Sequence, residues 1–302
     1  MEFMIASALV ATIAIASGWT TLAMVVVLPI VVGLAIDRLL AKEFPVPTAG
    51  SSAVIVTGAS SGLGEAFAQD LAAAGFLTFG TVRKQADADR LNAAGRVVPV
   101  VVDVTNPGQV AAAVGEIRAT LLKKGRTLCA VVNNAGVSGI DDTVEFAGPA
   151  MFERVFATNV FGMVRFTEAF LPLLKAHGPG ARVVNLGSYF GELSPGVPGV
   201  AQYVASKFAV EGLTDVWRRD LRRSGVAVSL IKPGDFSTSM NPLPGALTDL
   251  SSVVSAVRDA VTSPTPRPRY HAGHVVKVGL SVSVLSRLLH TVPDRLADVI
   301  IP

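Results

Sequence analysis

Residues 54–67 read VIVTGASSGLGEAF, and the rest of the chain is organised around them. Three apolar residues run into Thr57-Gly58, and glycines recur at Gly62 and Gly64 just where a helical pattern begins. Glycine is costly in ordered structure, so the backbone there must take a conformation, or accept an approach, that a side chain would forbid. A strand, then T-G-x-x-x-G-x-G, then a helix is a dinucleotide-binding turn. Gly58 permits the tight turn, Gly62 lets backbone approach a pyrophosphate, and Gly64 lets the helix pack on the sheet. Unpaired N–H groups and the positive dipole end at the helix start favour phosphate. Leu63 belongs to the same turn, and Ser60 and Ser61 add hydroxyl donors.

The pattern continues through the chain. Apolar, β-branched runs occur at 53–57, 77–82, 97–104, 128–132, 182–187 and 226–231. They are continuous rather than alternating, as in strands buried on both faces. Helical stretches separate them. The stretch from Pro107 carries apolar residues at 110, 114, 117, 121 and 122, then stops at Lys123-Lys124-Gly125. This alternation predicts an α/β fold, a Rossmann-type doubly wound parallel sheet in one domain over 53–302.

Composition narrows the function. Of 302 residues, 50% are hydrophobic, 16% are charged, and the net charge is +3. No dense basic face is present, so nucleic acid is not an expected partner. The single Cys129 excludes an internal disulfide, and the four histidines lack ligand spacing, so no metal site is expected.

Residues 3–36 contain no charged side chain. Roughly 20 apolar residues cross a bilayer, so residues 1–36 are expected to anchor the protein in a membrane. One straight helix would be about 50 Å long against a hydrocarbon core of about 30 Å. Tilt, overhang or a hairpin broken near Gly18-Trp19-Thr20-Thr21 would accommodate it. Arg38 and Lys42 follow the segment, and the positive-inside rule then places the following domain in the cytoplasm. Residues 37–52, with FPVPTAGSS at 44–52, read as a linker.

The reacting end is expected at YVASK, 203–207. Tyr203 and Lys207 are four apart and share a helix face. An ammonium beside the phenol favours its phenolate, so Tyr203 can exchange a proton with an alcohol or carbonyl. Ser188 can hydrogen-bond the same oxygen. At the other end of the cofactor, the second strand ends in Arg83-Lys84 with no acid. Arg83 suits a 2′-phosphate, so NADP(H) is favoured and NAD(H) stays open. Asp103 and Val104, at the end of the third strand, are expected at the adenine.

These motifs together resemble the short-chain dehydrogenase/reductase family: TGASSGLG (57–64), NNAG (133–136), TNVFG with Asn159, NLGSYFG with Ser188, YVASK, and IKPGDFST (231–238), in that order. The resemblance implies that Asn134, Ala135 and Gly136 line the cofactor site. It implies that Asn159 supports a water-mediated proton relay to Lys207, and that Lys207 binds nicotinamide ribose hydroxyls. Pro233, Gly234, Phe236 and Thr238 would lie beside the nicotinamide. Tyr203 would contact the cofactor as well as the substrate. GTVRK (80–84), PRPRYHAG (266–273) and the tail at 287–300 look like the retinol, hydroxysteroid and 3-hydroxybutyrate dehydrogenase branch. That implies a hydrophobic substrate, membrane attachment, and a homodimer through the helices around 151–175 and 203–223. The short segment MNPLPGALTDL (240–250) departs from that branch, which carries a longer substrate lid, and leaves the substrate open. Two other readings stand beside a membrane-anchored NADP(H) oxidoreductase of steroid, retinoid or fatty carbonyls. One is a non-catalytic cofactor-binding interaction protein. The other is an NAD(H)-dependent dehydrogenase of a small hydroxy acid.

Overall fold

The computed structural model describes Val32 and residues 41–139, 148–193, 199–237, 246–275 and 280–282. The chain divides into two compact units, Met1–Glu43 and Phe44–Pro302. Almost all of the expected membrane segment, and Thr238, lie outside the described residues. Among the described residues no helix is long and apolar enough to cross a membrane.

The second unit holds a seven-stranded parallel sheet in the order β3-β2-β1-β4-β5-β6-β7. Its strands are β1 (Ser52–Val56), β2 (Leu77–Val82), β3 (Val98–Val101), β4 (Thr127–Asn133), β5 (Arg182–Leu186), β6 (Ala227–Pro233) and β7 (Arg269–Ala272). The helices are α1 (Gly62–Ala73), α2 (Gln85–Ala93), α3 (Pro107–Lys124), α4 (Pro149–Phe156), α5 (Met163–His177), α6 (Ala201–Leu221) and α7 (Ser251–Thr262). A small antiparallel pair joins β8 (His274–Val275) to β9 (Leu280–Ser281).

Alternation along β1 divides the core. Val54 and Val56 join Phe67, Leu71, Val257 and Val261 on one face, whereas Ala53 and Ile55 join Ile117, Phe166 and Phe170 on the other. Cys129 is fully buried in the first cluster, and burial pushes its thiol up to about 12. It is a core residue.

Local chemistry sets the helix ends. Asn106 caps α3 by accepting from the Gln109 N–H at 3.1 Å, with Pro107 in the first turn. Gly125 ends it at φ +59°, the left-handed stop expected from Lys123-Lys124-Gly125. Pro172 lies inside α5, which runs from Met163 to His177. A π-helical turn over Ala157–Gly162 precedes it.

Strand order reverses between β1 and β4, which run to opposite halves of the sheet. In such sheets the crevice at the carboxyl ends of the strands is where a dinucleotide sits.

Candidate active site

The turn after β1 is held from both sides. The Gly58 N–H donates to Thr81 Oγ1 at 3.2 Å and the Ala59 N–H to the Thr81 carbonyl at 2.8 Å, both on β2. Just after β4, Asn134 Nδ2 donates to the Thr57 and Gly58 carbonyls at 2.9 and 3.1 Å. Thr57 Oγ1 accepts from the Asn134 and Ala135 N–H groups, each at 2.9 Å. Gly58 and Gly62 have φ of +68° and +57°. A Cβ on Gly64 would overlap the Gly58 carbonyl oxygen and Asn134 Nδ2. The turn is therefore a bare-backbone cradle opening onto the start of α1, and it fits a dinucleotide pyrophosphate.

Other expected cofactor residues surround this cradle. Arg83 and Lys84 are exposed just after β2. β3 ends at Val101, so Asp103 and Val104 lie in the following loop rather than closing the strand. Asp103 Oδ1 accepts from the Thr105 N–H and hydroxyl at 2.8 and 2.7 Å, and Val104 is buried. A Cβ on Gly136 would meet Asn159 Oδ1 at 3.2 Å. Pro233 ends β6. A Cβ on Gly234 would strike the His274 backbone, and Phe236 is buried beneath Gly273.

The four residues expected at the reacting end come from three different segments. Ser188 follows β5 and caps a one-turn 3-10 helix, Tyr189–Gly191, its hydroxyl accepting from the Phe190 N–H at 3.2 Å. Tyr203 and Lys207 lie on α6. Lys207 Nζ is 5.5 Å from the Tyr203 ring centre and donates to the Leu186 carbonyl at 2.8 Å. Asn159 sits in the π-helical turn, with its Oδ1 accepting from the Val137 N–H at 2.8 Å. Its Nδ2 donates to the Val137 carbonyl at 2.9 Å and to Ser206 Oγ at 3.0 Å. Ser206 in turn donates to the Tyr203 carbonyl at 2.7 Å.

Two features bear on the reacting end. Burial is the larger influence on Tyr203 and pushes its phenol up to about 12, against a smaller lowering from the Ser188 hydrogen bond. Burial likewise pulls Lys207 down to about 8. The half-buried phenol and the buried amine each resist charging, which opposes the phenolate-favouring attraction expected from their spacing. In addition, the hydrogen bonds of Asn159 reach Val137 and Ser206 and not Lys207. They tie the loop after β4 to α6.

Sequence reasoning missed several neighbours. Asn133 Nδ2 donates to Thr167 Oγ1 and Asn185 Oδ1, and Asn185 Nδ2 to Thr214 Oγ1, a buried polar ladder between β4, β5 and two helices. Tyr189 donates to Asp235 Oδ1 at 2.8 Å. Lys232 of β6 is wholly buried against Glu192 and Glu211. Its signal was present: a lone lysine ending an apolar strand run.

A family model described as short chain dehydrogenase matches residues 52–244. The chain belongs to the short-chain dehydrogenase family. The Escherichia coli K12 protein named uncharacterized oxidoreductase YbbO is 35% identical over 264 residues, 82% of this chain and 93% of its own length. Rat mitochondrial D-beta-hydroxybutyrate dehydrogenase is 32% identical, over 74% of this chain and 77% of its own. A solved short-chain dehydrogenase from Burkholderia cenocepacia, in complex with NADP, is 25% identical. It superposes with a TM-score of 0.71 over 85% of this chain and 100% of its own. This short-chain dehydrogenase is thus an NAD(P)-dependent oxidoreductase acting on CH–OH groups, which sets aside the non-catalytic alternative.

Proposed function

We propose that the protein interconverts an apolar alcohol and its ketone or aldehyde, prefers NADP(H), and is held at a membrane by residues 1–36. The observation that carries the reaction is the convergence of Ser188, Tyr203 and Lys207 above the sheet. When bound, the nicotinamide supplies or accepts the hydride. In reduction, Ser188 orients the carbonyl, and the Tyr203 hydroxyl gives its proton to the carbonyl oxygen as the C–H bond forms. The high affinity of Tyr203 for its proton keeps the phenol protonated at neutral pH, the form that reduction consumes. Lys207 stabilises the phenolate left behind. Asn159 fixes the end of α6 through Ser206.

The apolar substrate is supported by Phe190, whose ring stands edge-on to Tyr203 with centres 5.9 Å apart and to Tyr189 at 4.4 Å. NADP(H) is supported by exposed Arg83 after β2 and the absence of an acid there. The uncharged run at 3–36 supports the anchor. A homodimer through α5 and α6 is supported by the groove between them, lined by Val164, Thr167, Glu168, Leu171, Trp217 and Leu221. Exposed Phe208 and Val216 add apolar surface on α6, and exposed Phe161 adds it on the π-helical turn that precedes α5. The 3-hydroxybutyrate relative supports a second reading, a short hydroxy acid with NAD(H).

Turnover of decanal, acetophenone and phenanthrenequinone with NADPH, against 3-hydroxybutyrate with NAD, separates the two readings. Tyr203→Phe is expected to abolish turnover and leave NADPH binding intact; persistent turnover refutes the mechanism. Arg83→Ala is expected to narrow the preference for NADPH over NADH by about tenfold, the value of one lost charge-assisted pair. An unchanged ratio removes Arg83 from that role. In vesicle flotation the full chain is expected to float and a chain lacking residues 1–36 to sink; size-exclusion with light scattering checks the dimer.

A further inference from the structure

Tyr203, Lys207, Glu211 and Asp215 follow one another at intervals of four on α6. The first two belong to the reacting end. The other two hold a charge cluster beneath it. Lys232, on the penultimate residue of β6, is 0% exposed and donates to Glu211 Oε1 and Oε2 at 2.9 and 2.8 Å. It also pairs with Glu192. Arg269 of β7 bonds Glu211 Oε1 at 2.9 Å and Asp215 Oδ2 at 2.8 Å, and His271 Nε2 is 3.7 Å from Glu192 Oε1.

The placement of Glu192 gives this cluster its consequence. Glu192 lies four residues after Ser188, on the turn that Ser188 begins. That turn closes through the Gly191 N–H to the Ser188 carbonyl at 3.0 Å, and through the Glu192 and Leu193 N–H groups to the Tyr189 carbonyl at 3.0 Å. A Cβ on Gly191 would meet the Lys207 carbonyl at 3.0 Å and Glu211 Oε2 at 3.2 Å, so the turn lies directly against the α6 segment that carries Lys207. One buried ammonium thus grips the Ser188 turn with one carboxylate and α6 with another.

We propose that Lys232 is a positioning residue: through Glu192 and Glu211 it locks the Ser188 turn onto α6 and sets the spacing of Ser188 from Tyr203. The proposal rests on the catalytic reading of those two residues. Without the ammonium, Glu192 and Glu211 face each other as like charges in a site with little water. Glu211 keeps Arg269 as a second cation. Glu192 also lies against His271, charged only when protonated. Glu211 sits within a helix of 21 residues and Glu192 at the end of a single 3-10 turn, so the turn is the part that moves.

The test compares wild type, Lys232→Met, Glu192→Gln and Tyr203→Phe by three readouts. These are NADPH fluorescence titration, turnover of the three carbonyl probes per NADPH-binding site, and hydrogen exchange at residues 189–193. Lys232→Met is expected to lower kcat per binding site about tenfold or more, as small misplacements in a reacting pair do, with NADPH affinity within about twofold of wild type. Exchange is expected to quicken at 189–193 and to stay unchanged in the β1–α1 turn. Glu192→Gln keeps size and hydrogen bonding, and is expected to show the same pattern more weakly. A purely structural role would lower the number of binding sites and leave kcat per site unchanged; that result overturns the proposal. If Lys232→Met does not fold, Glu192→Gln decides, and unchanged kcat and exchange overturn it. Exchange needs no turnover, so it judges the clamp even where the probes are not reduced. Tyr203→Phe, inactive or not, judges the catalytic reading separately.

Discussion

Arg182 and Lys232 are both buried in the sheet, 1% and 0% exposed, and they sit at its opposite ends. Lys232 is close to the carboxyl end of β6, against two carboxylates. Arg182 opens β5, and its partners among the described residues are neutral: the Gly180, Ala181, Pro45 and Ser263 carbonyls at 2.7, 3.4, 3.1 and 3.0 Å, and the Phe44 ring at 5.3 Å. Its Nε is buried without an acceptor among the described residues. Burial pulls its guanidinium down to about 10. A cation solvated by carbonyls leaves only dipoles behind when it is removed. A cation solvated by carboxylates leaves charges. The first kind of site ties backbone together, here the 44–45 stretch to the base of the sheet; the second fixes the separation of the groups that share it.

The comparison breaks if the two cations prove equivalent. Lys232→Met is expected to cost about 3–5 kcal/mol of stability, the range for removing one partner of a buried pair, besides its effect on turnover. Denaturant titration measures the stability term. Arg182→Met is expected to cost about 1–3 kcal/mol, the desolvation cost of a buried group left without its partner. It should leave kcat per NADPH site unchanged and quicken proteolysis near Phe44-Pro45. A loss of kcat in Arg182→Met equal to that in Lys232→Met would end the distinction between a tie and a positioning clamp.

What could be read from residue order follows the same division. The six apolar runs became β1 to β6 because continuous burial leaves a continuous signature. β7 was missed, since Arg269-Tyr270-His271-Ala272 is an edge strand with alternating burial and three ionisable side chains. The cradle was legible because Gly58, Gly62 and Gly64 answer local backbone needs. The charge cluster was not, because Glu192, Glu211, Lys232 and Arg269 come from separate segments and meet only after folding. The upward pull of burial on Tyr203 was not legible for a related reason: spacing along a helix gives proximity, but removal from water depends on everything packed around the two groups.

Lys207 is an intermediate case and sharpens the comparison on a smaller scale. It is buried like the other two, and its amine donates to one carbonyl, that of Leu186. Burial moves its pKa from 10.5 to about 8. Between those values the unfolded chain holds a proton that the folded protein has released. Stability therefore rises with pH across that window, by at most about 1.4 kcal/mol per pH unit for one proton. Tyr203 acts in the opposite sense at higher pH. Its phenol, raised from 10.0 to about 12, keeps a proton that the unfolded chain loses, so stability falls between those values. Lys207→Met removes the first effect and keeps the second. Below pH 8 it is expected to be more stable than wild type while losing turnover, because wild type there carries a buried charge that methionine does not. The advantage should shrink steadily as pH rises towards 10. Parallel stability curves for the two proteins would mean that the amine is well solvated in the folded state, and Lys207 would then belong with Lys232 rather than with Arg182.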